Sequence, residues 1–145
     1  MTISTNTPHR NDPDVVRRLL STPGLWAVVG LSANSSRVAY RIGRYLQESL
    51  GQRIVAVHPR AESVHSAPGY RTLAEVPEPI DVVDLFVRSD RVGPIVDQAI
   101  AVGAKAVWLQ LGVIDEAAAA RARAAGLDVV MDTCPAIEAP RFGLV

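Results

Sequence analysis

Residues 25–38 read LWAVVGLSANSSRV, and this stretch decides the fold. Leu25–Leu31 is an apolar run without polar alternation, which predicts a short strand buried on both faces. Gly30 and a polar loop lead from it into Arg37–Leu50, where apolar residues recur at helical spacing up to the stop at Gly51. A buried strand followed directly by an amphipathic helix predicts the first unit of an α/β sheet.

The rest of the chain repeats this alternation. Further strands are predicted at Arg53–Val57, Val82–Val87, Ala106–Leu111 and Asp128–Met131, helices at Ser89–Val102 and Asp115–Ala125, a loop at His58–Arg71, and a short helical turn after Cys134. Parallel strands joined by right-handed crossovers leave few topologies. We therefore predict a Rossmann-like, doubly wound, mainly parallel five-stranded sheet with helices on both faces.

The N-terminal residues follow a different pattern. Met1–Asp12 is polar, and we expect a flexible tail over residues 1–13 before a single domain over residues 14–145. Asp12 and Pro13 are typical of an N-cap and a first helical turn, so a short amphipathic helix should follow and end at Thr22-Pro23-Gly24. We expect this helix to pack across one end of the sheet.

Composition limits the class of protein. The chain has 145 residues, of which 48% are apolar and 21% are charged, as in an ordinary globular domain. No apolar stretch reaches the roughly 18 residues of a membrane span, and no secretory signal is visible. A single cysteine forms no internal disulfide, so we expect a cytoplasmic protein.

The charges are balanced overall but unevenly placed. The net charge is zero, which argues against a general affinity for nucleic acid or for membranes. Residues 1–72 carry nine Arg against two Asp and two Glu, whereas residues 73–145 carry five Arg and one Lys against seven Asp and four Glu. Either the fold is dipolar with paired surfaces, or the first half builds an anion site.

The loop after the first strand is the first candidate for such a site, because ligands of open parallel sheets bind at the carboxyl ends of the strands. Gly30 allows close approach of the backbone, and free amides at a helix N-terminus attract phosphate. Hydroxyl donors at Ser32, Ser35 and Ser36 and the charge of Arg37 would add to this. With one glycine the segment is not a GxGxxG motif, so a polar turn with a serine N-cap is the alternative.

The loop after the second strand is His58-Pro59-Arg60. A NAD-binding protein usually has an acidic residue here to hold the ribose hydroxyl, but this segment has none. Arg60 instead suits a phosphate on the ribose, as in NADP or in the 3′-phosphate of coenzyme A (CoA). An ordinary solvated turn is the alternative.

The third and fourth strands end in further candidates. Arg88 lies where a ligand would pass, or else it pairs with Asp84 or Asp90. Gln110 is a polar residue in an apolar run, so either the backbone or a ligand must supply its hydrogen-bond partner. Gly112 permits close approach at the same edge, whereas we expect Trp108 to belong to the core.

No arrangement of residues indicates catalysis or a metal site. The spacing of His9, His58 and His65 matches no metal motif, and no nucleophile motif is present. Cys134 is interpreted as a structural thiol, with a reactive thiol beside a ligand as the alternative. Asp81 and Asp84 are expected to mark the boundary of the third strand.

Five blocks of the sequence carry a family resemblance. They are VVGLS with SR at 28–32 and 36–37, VHPR at 57–60, VVDLFVR at 82–88, GAKAVWLQLG at 103–112 and GLDVVMDTC at 126–134. Together they resemble the small, stand-alone CoA-binding proteins, whose domain is similar to the CoA-binding N-terminal domain of the succinyl-CoA synthetase alpha subunit. Lys105–Gly112 is the most specific part of the match.

The resemblance implies where CoA would lie. By position, Gly30, Leu31, Ser32 and Arg37 would hold the pyrophosphate, Pro59 and Arg60 would meet the 3′-phosphate end, and Val87, Arg88, Gln110 and Gly112 would border the pantetheine. His58 stands where the family commonly has Asn. Residues 135–139 lack the basic residue and the His that usually end that segment.

Three functional hypotheses follow. The first is a binding module for CoA or a short acyl-CoA without chemistry of its own. The second is an NADP-dependent oxidoreductase or a CoA-using enzyme, and the third is a nucleotide or redox sensor. A homodimer, suggested by the Ala-rich helix, or an unknown protein partner is possible with each.

Overall fold

The computed structural model describes residues 7–145. In this part of the chain the strands are β1 (Leu25–Val29), β2 (Arg53–Val57), β3 (Gly69–Tyr70), β4 (Val82–Leu85), β5 (Ala106–Leu109) and β6 (Asp128–Met131). The helices are α1 (Pro13–Ser21), α2 (Val38–Glu48), α3 (Val92–Ala101), α4 (Glu116–Ala124) and α5 (Pro135–Arg141). Two 3₁₀ turns, Leu73–Glu75 and Ser89–Arg91, precede β4 and α3. None of the described helices is both long and apolar enough to cross a membrane.

All six strands are parallel and lie in the order β3-β2-β1-β4-β5-β6. This is a Rossmann-like order, and it reverses between β1 and β4, where a ligand crevice is expected. The prediction of five strands was wrong, because β3 lies in the segment predicted as a loop. Two residues are too few to show a strand period in sequence. A Cβ at Gly69 would lie 2.1 Å from the Glu62 carbonyl oxygen, so the backbone approaches closely there.

Three predicted strands end two residues early. The register pairs Val29 with Leu85 and Leu85 with Leu109, so β1, β4 and β5 end level with one another. The apolar residues beyond those ends belong to loops at the carboxyl edge of the sheet. The sequence pattern could not separate them from the strands, because they are equally apolar.

Each face of the sheet has its own core. One is formed with α3 and α4 and contains the buried alanines Ala118, Ala119 and Ala122, so these belong to the interior of the domain. The other is formed with α1, α2 and α5 around Trp26 and Trp108, whose ring centroids are 5.6 Å apart. The expectation that Trp108 belongs to the core is confirmed, since it is fully buried.

Helix α1 begins as predicted, because the Asp12 carboxylate accepts a hydrogen bond from the Asp14 amide. Its apolar residues pack against β6 and α5 on a face of the sheet, so the expected position across one end was wrong. Before it, Asn11 donates to the Met131 carbonyl and accepts from the Met131 amide, both at 2.9 Å. Asn11 thus covers the free edge of β6. Residues 1–6 of the expected tail lie outside the described residues.

Candidate functional site

Two adjoining clefts open at the carboxyl edge of the sheet, where the strand order reverses. The first, here called the basic cleft, has a volume of about 470 Å³ and lies over the ends of β1, β2 and β4. The second, here called the apolar cleft, has a volume of about 600 Å³ and lies between α2, the loop after β5 and the start of α5. Gly30, Arg37 and Phe86 line both clefts and form their junction. Each volume is in the range of small-molecule sites.

The basic cleft carries positive charge that the protein does not neutralise. Arg37, Arg71 and Arg91 line it, and among the described residues none of the three forms an ion pair. The nearby Glu75 carboxylate accepts a hydrogen bond from the backbone amide of Arg71 at 2.8 Å. Arg88 pairs with Asp90 at 2.9 Å, but both side chains are well exposed, so this pair contributes little. The cleft therefore suits an anionic ligand.

Helix α2 points its N-terminus at the junction of the clefts. Its N-cap, Arg37, makes no side-chain capping hydrogen bond, and its first turn has no acidic residue. The partial positive charge of the helix end adds to that of the Arg37 guanidinium. An anion at the junction would be stabilised by both.

The loop before α2 is held by Asn34, which the sequence reasoning did not single out. The Asn34 side-chain oxygen accepts from the Ser36 amide at 3.1 Å and from the Ser36 hydroxyl at 2.6 Å. The Ser32 hydroxyl oxygen accepts from the Asn34 amide at 3.2 Å and keeps its own hydrogen for another acceptor. The Asn-Ser-Ser sequence was the available signal, since Asn commonly bonds to its own local backbone.

Gly30 is required by the protein itself. Its φ is +98°, and a Cβ there would lie 2.5 Å from the Phe86 carbonyl oxygen. Glycine therefore allows the ends of β1 and β4 to meet. The sequence had suggested only that Gly30 allows close approach to a ligand. Because of the contact with Phe86, a larger residue at position 30 would disturb the fold as well as the cleft.

The second loop of the basic cleft is fixed by His58. Its ring Nδ1 accepts a hydrogen bond from the Arg60 amide at 3.2 Å, which leaves Nε2 as the ring donor in the neutral form. Pro59 lines the cleft beside it. Arg60 is exposed just beyond Pro59 and lines neither cleft.

The apolar cleft gathers large apolar side chains that remain exposed. Val38, Leu111 and Ile137 are 52%, 62% and 38% exposed, and Val113 and Ala136 complete much of the lining. Such residues scattered singly over a surface need no explanation, but their convergence in one concave site marks a binding surface.

A polar pair lies at the base of the apolar cleft. The Gln110 side-chain nitrogen donates to Asp84 Oδ1 at 2.5 Å, so a side chain satisfies this nitrogen rather than the backbone or a ligand that we expected. Asp84 lies inside β4 and is fully buried, and its Oδ2 has no partner among the described residues. It therefore does not mark a strand boundary as predicted. Desolvation raises the pKa of Asp84 to about 8, although the Gln110 hydrogen bond opposes this shift.

Cys134 lines the apolar cleft from the residue before α5. It is buried, and this burial raises the pKa of its thiol. A raised pKa disfavours the reactive thiolate.

The structure brings together most of the predicted site residues. Gly30, Ser36, Arg37, His58, Pro59, Val87, Arg88 and Gln110 line one or both clefts. The side chain of Leu31 is buried in the core, so only its backbone faces the loop. Ser35 lies on the outer side of α2 near Arg41 and Arg44. Gly112 lies past the clefts, where its amide donates to Asp132.

Several lining residues were not found from sequence. They are Arg41, Arg71, Phe86, Arg91, Leu111 and Ile137. Arg71 lies outside every block of the resemblance, and only the topology brings it to this edge. Arg91 lies at the expected edge, three residues after the 82–88 block, but the sequence reasoning gave it no role. Phe86 and Leu111 were counted as strand residues because they are apolar.

Known proteins share this fold. Residues 25–140 match the family model described as "CoA binding domain". The uncharacterized protein YneT of Bacillus subtilis (strain 168) is 28% identical over 119 residues, which cover 82% of this chain and 87% of that protein. The structure of a hypothetical protein from Pyrococcus horikoshii OT3 is 33% identical, with a TM-score of 0.84 over 92% of this chain and 96% of that chain.

A larger protein contains a similar domain. The dinucleotide forming acetyl-coenzyme A synthetase 1 of Ca. Korarchaeum cryptofilum, in complex with phosphate and ADP, is 25% identical with a TM-score of 0.69. The match covers 79% of this chain and 26% of that chain. Since the family model spans most of the sequence, the chain belongs to the CoA binding domain family.

Proposed function

We propose that this member of the CoA binding domain family binds CoA or a short acyl-CoA across the two clefts, without chemistry of its own. One observation carries the proposal: a basic cleft and an apolar cleft meet at the point where the strand order reverses. CoA has matching parts, a phosphorylated adenosine diphosphate at one end and an uncharged pantetheine at the other.

In this proposal the phosphates of CoA pair with the arginines in and beside the basic cleft. In the proposed complex the pyrophosphate lies at the junction, near the N-terminus of α2 and the Arg37 guanidinium. Arg71 and Arg91 flank the phosphorylated adenosine in the basic cleft, and Arg60 reaches its 3′-phosphate from beyond Pro59. Hydrogen bonds between charged partners stabilise such complexes by about 1.5–3 kcal/mol each.

The pantetheine accounts for the apolar cleft. From the junction it passes Phe86 and runs between α2 and the loop after β5. Because the Gln110 side-chain nitrogen already donates to Asp84, the Gln110 side-chain oxygen is the group left to accept from a pantetheine amide. In the proposed complex the Gln110 oxygen, rather than its nitrogen, therefore faces the ligand.

A non-catalytic role is supported by the state of the groups near the apolar cleft. Asp84 is fully buried, and Cys134, although it lines the cleft, has a raised pKa that disfavours its thiolate. The match to the synthetase covers about a quarter of that chain, which leaves its remaining parts without a counterpart in this match.

The test is a competition among nucleotides, measured by native mass spectrometry and calorimetry of the full chain. We expect CoA to bind with a micromolar Kd, about −8 kcal/mol, and more tightly than dephospho-CoA, NADP or NAD. Tighter binding of NADP would favour the oxidoreductase or sensor hypothesis. The absence of any nucleotide binding would contradict the proposal.

A further inference from the structure

The end of the apolar cleft that lies away from the junction exposes more apolar surface than the thiol of CoA would cover. Six large apolar side chains are markedly exposed in the described part of the chain. Three of them, Val38, Leu111 and Ile137, line this cleft, and Ile114 follows in the same loop. Their convergence is local, since Val102 follows α3 at the opposite edge of the sheet.

The two walls of the apolar cleft differ in charge. The wall from α2 carries Arg37, which lies at the junction, and Arg41, which lies further along the helix. The opposite wall, from the loop after β5 and the start of α5, contains Gln110, Leu111, Val113, Cys134, Ala136 and Ile137. No charged side chain belongs to this second wall. Glu138, the nearest acid on α5, is held by the Thr133 hydroxyl and by Arg141.

The base of the cleft is also without net charge at neutral pH. Gln110 is neutral, and the raised pKa of Asp84 keeps its carboxyl group protonated over most of the range below pH 8. The Cys134 thiol is protonated as well, because its pKa is raised by burial. A carboxylate directed at this base or at the second wall would lose its hydration without gaining a cationic partner there.

We propose that the apolar cleft binds the acyl group of an acyl-CoA, and that it selects short, uncharged, apolar acyl chains over carboxylated ones. This inference rests on the proposed CoA site, from which the cleft continues through Gly30, Arg37 and Phe86. The occupant follows from that continuity: a pantetheine that enters from the junction brings its sulfur to the wall formed by Leu111 and Ile137. The acyl group is short because the pantetheine shares the same 600 Å³ cleft.

The test compares CoA with two thioether analogues that do not hydrolyse, S-butyl-CoA and S-(3-carboxypropyl)-CoA. The two differ only at the end of a four-carbon chain. We expect calorimetry to give S-butyl-CoA a Kd about tenfold lower than that of CoA, since a fully buried methylene contributes up to about fourfold. The carboxylated analogue should bind no more tightly than CoA.

Two variants locate the effect. Leu111→Ser should bring the ratio of the CoA and S-butyl-CoA dissociation constants close to one. Val102→Ser, which removes another exposed apolar residue at the opposite edge of the sheet, should leave that ratio unchanged. Circular dichroism establishes that both variants fold.

The outcomes separate this inference from the proposed function. If CoA binds but the butyl group adds no affinity, or if the carboxylated analogue binds more tightly, the acyl inference is wrong and the CoA site stands. If no CoA compound binds, the proposed function itself is wrong. If the wild type is a dimer by light scattering and Leu111→Ser is a monomer, the apolar surface is an interface between copies of the chain, and the inference is also wrong.

Discussion

Two loops at the same edge of the sheet lead from a strand into a helix, and they differ in the charge that lies near the helix N-terminus. The closed loop, residues 112–115 before α4, is held by carboxylates: Asp132 accepts from the Gly112 amide, and Asp115 accepts from the Ala118 amide in the first turn of α4. The open loop, residues 30–37 between β1 and α2, is held by neutral Asn34 and ends at Arg37, which forms no ion pair within residues 7–145.

The difference shows which helix end the protein neutralises itself. Asp115 caps α4, and Glu116 in its first turn adds negative charge. Helix α2 has neither, so its positive end remains available to an external anion. Both loops are stabilised by local hydrogen bonds. They therefore differ in their capacity to bind an anion and not in how well they are held in place.

The largest expected effect concerns Asp84, the buried carboxyl group at the base of the apolar cleft. Its folded-state pKa of about 8 exceeds the ordinary value of 3.8, so the unfolded chain loses its proton first as the pH rises. Asp84 therefore lowers the free energy of unfolding progressively between about pH 4 and pH 8. Asp84→Asn remains neutral and can still accept from Gln110, so it should be more stable by about 2–4 kcal/mol at pH 9.

Urea unfolding of both proteins at pH 4, 7 and 9 checks this prediction. The difference between them should be small at pH 4 and grow with pH. Asp97→Asn, which alters an exposed ion pair with Arg121, is the control and should show no such growth. A difference that is constant from pH 4 to pH 9 would show that Asp84 titrates normally.

The next effect tests the open loop directly. Arg37→Ala should weaken CoA binding about 10- to 100-fold, because one charged hydrogen-bond donor to a phosphate is lost. Helix stability should change little, since Arg37 makes no side-chain cap. Calorimetry with Arg121→Ala as the matched control decides the matter, and equal affinities for the two variants would remove Arg37 from the site.

The closed loop should respond in the opposite way. Asp115→Ala removes the acceptor for the Ala118 amide and should lower the free energy of unfolding by about 1 kcal/mol. Affinity for CoA should remain that of the wild type. A loss of CoA affinity larger than threefold in the folded variant would mean that the two loops are not separate in function.

The smallest expected effect concerns Arg60, which lies just outside the basic cleft. Arg60→Ala should weaken CoA more than dephospho-CoA, by about threefold, because an exposed charge contributes little. Arg71→Ala, from the interior of the basic cleft, is the comparison. If Arg60→Ala weakens both ligands equally, Arg60 does not contact the 3′-phosphate.

The sequence alone predicts most of the fold, because buried parallel strands and amphipathic helices leave clear patterns. β2 and β6 were predicted with the bounds that the structure shows. β3 was missed because two residues carry no period, and the Asp84–Gln110 pair was missed because it joins neighbouring strands. Arg71 was missed because only the folded topology brings it to the basic cleft.

The most direct test of the account maps CoA onto the backbone by titration of ¹⁵N-labelled protein in two-dimensional NMR. We expect shifts for the amides of residues 30–38, 58–60, 86–91 and 110–113, with much smaller changes at residues 115–126. Shifts concentrated in the closed loop and α4 would contradict the claim that CoA binds across the basic and apolar clefts. The absence of shifts at millimolar CoA would contradict it as well.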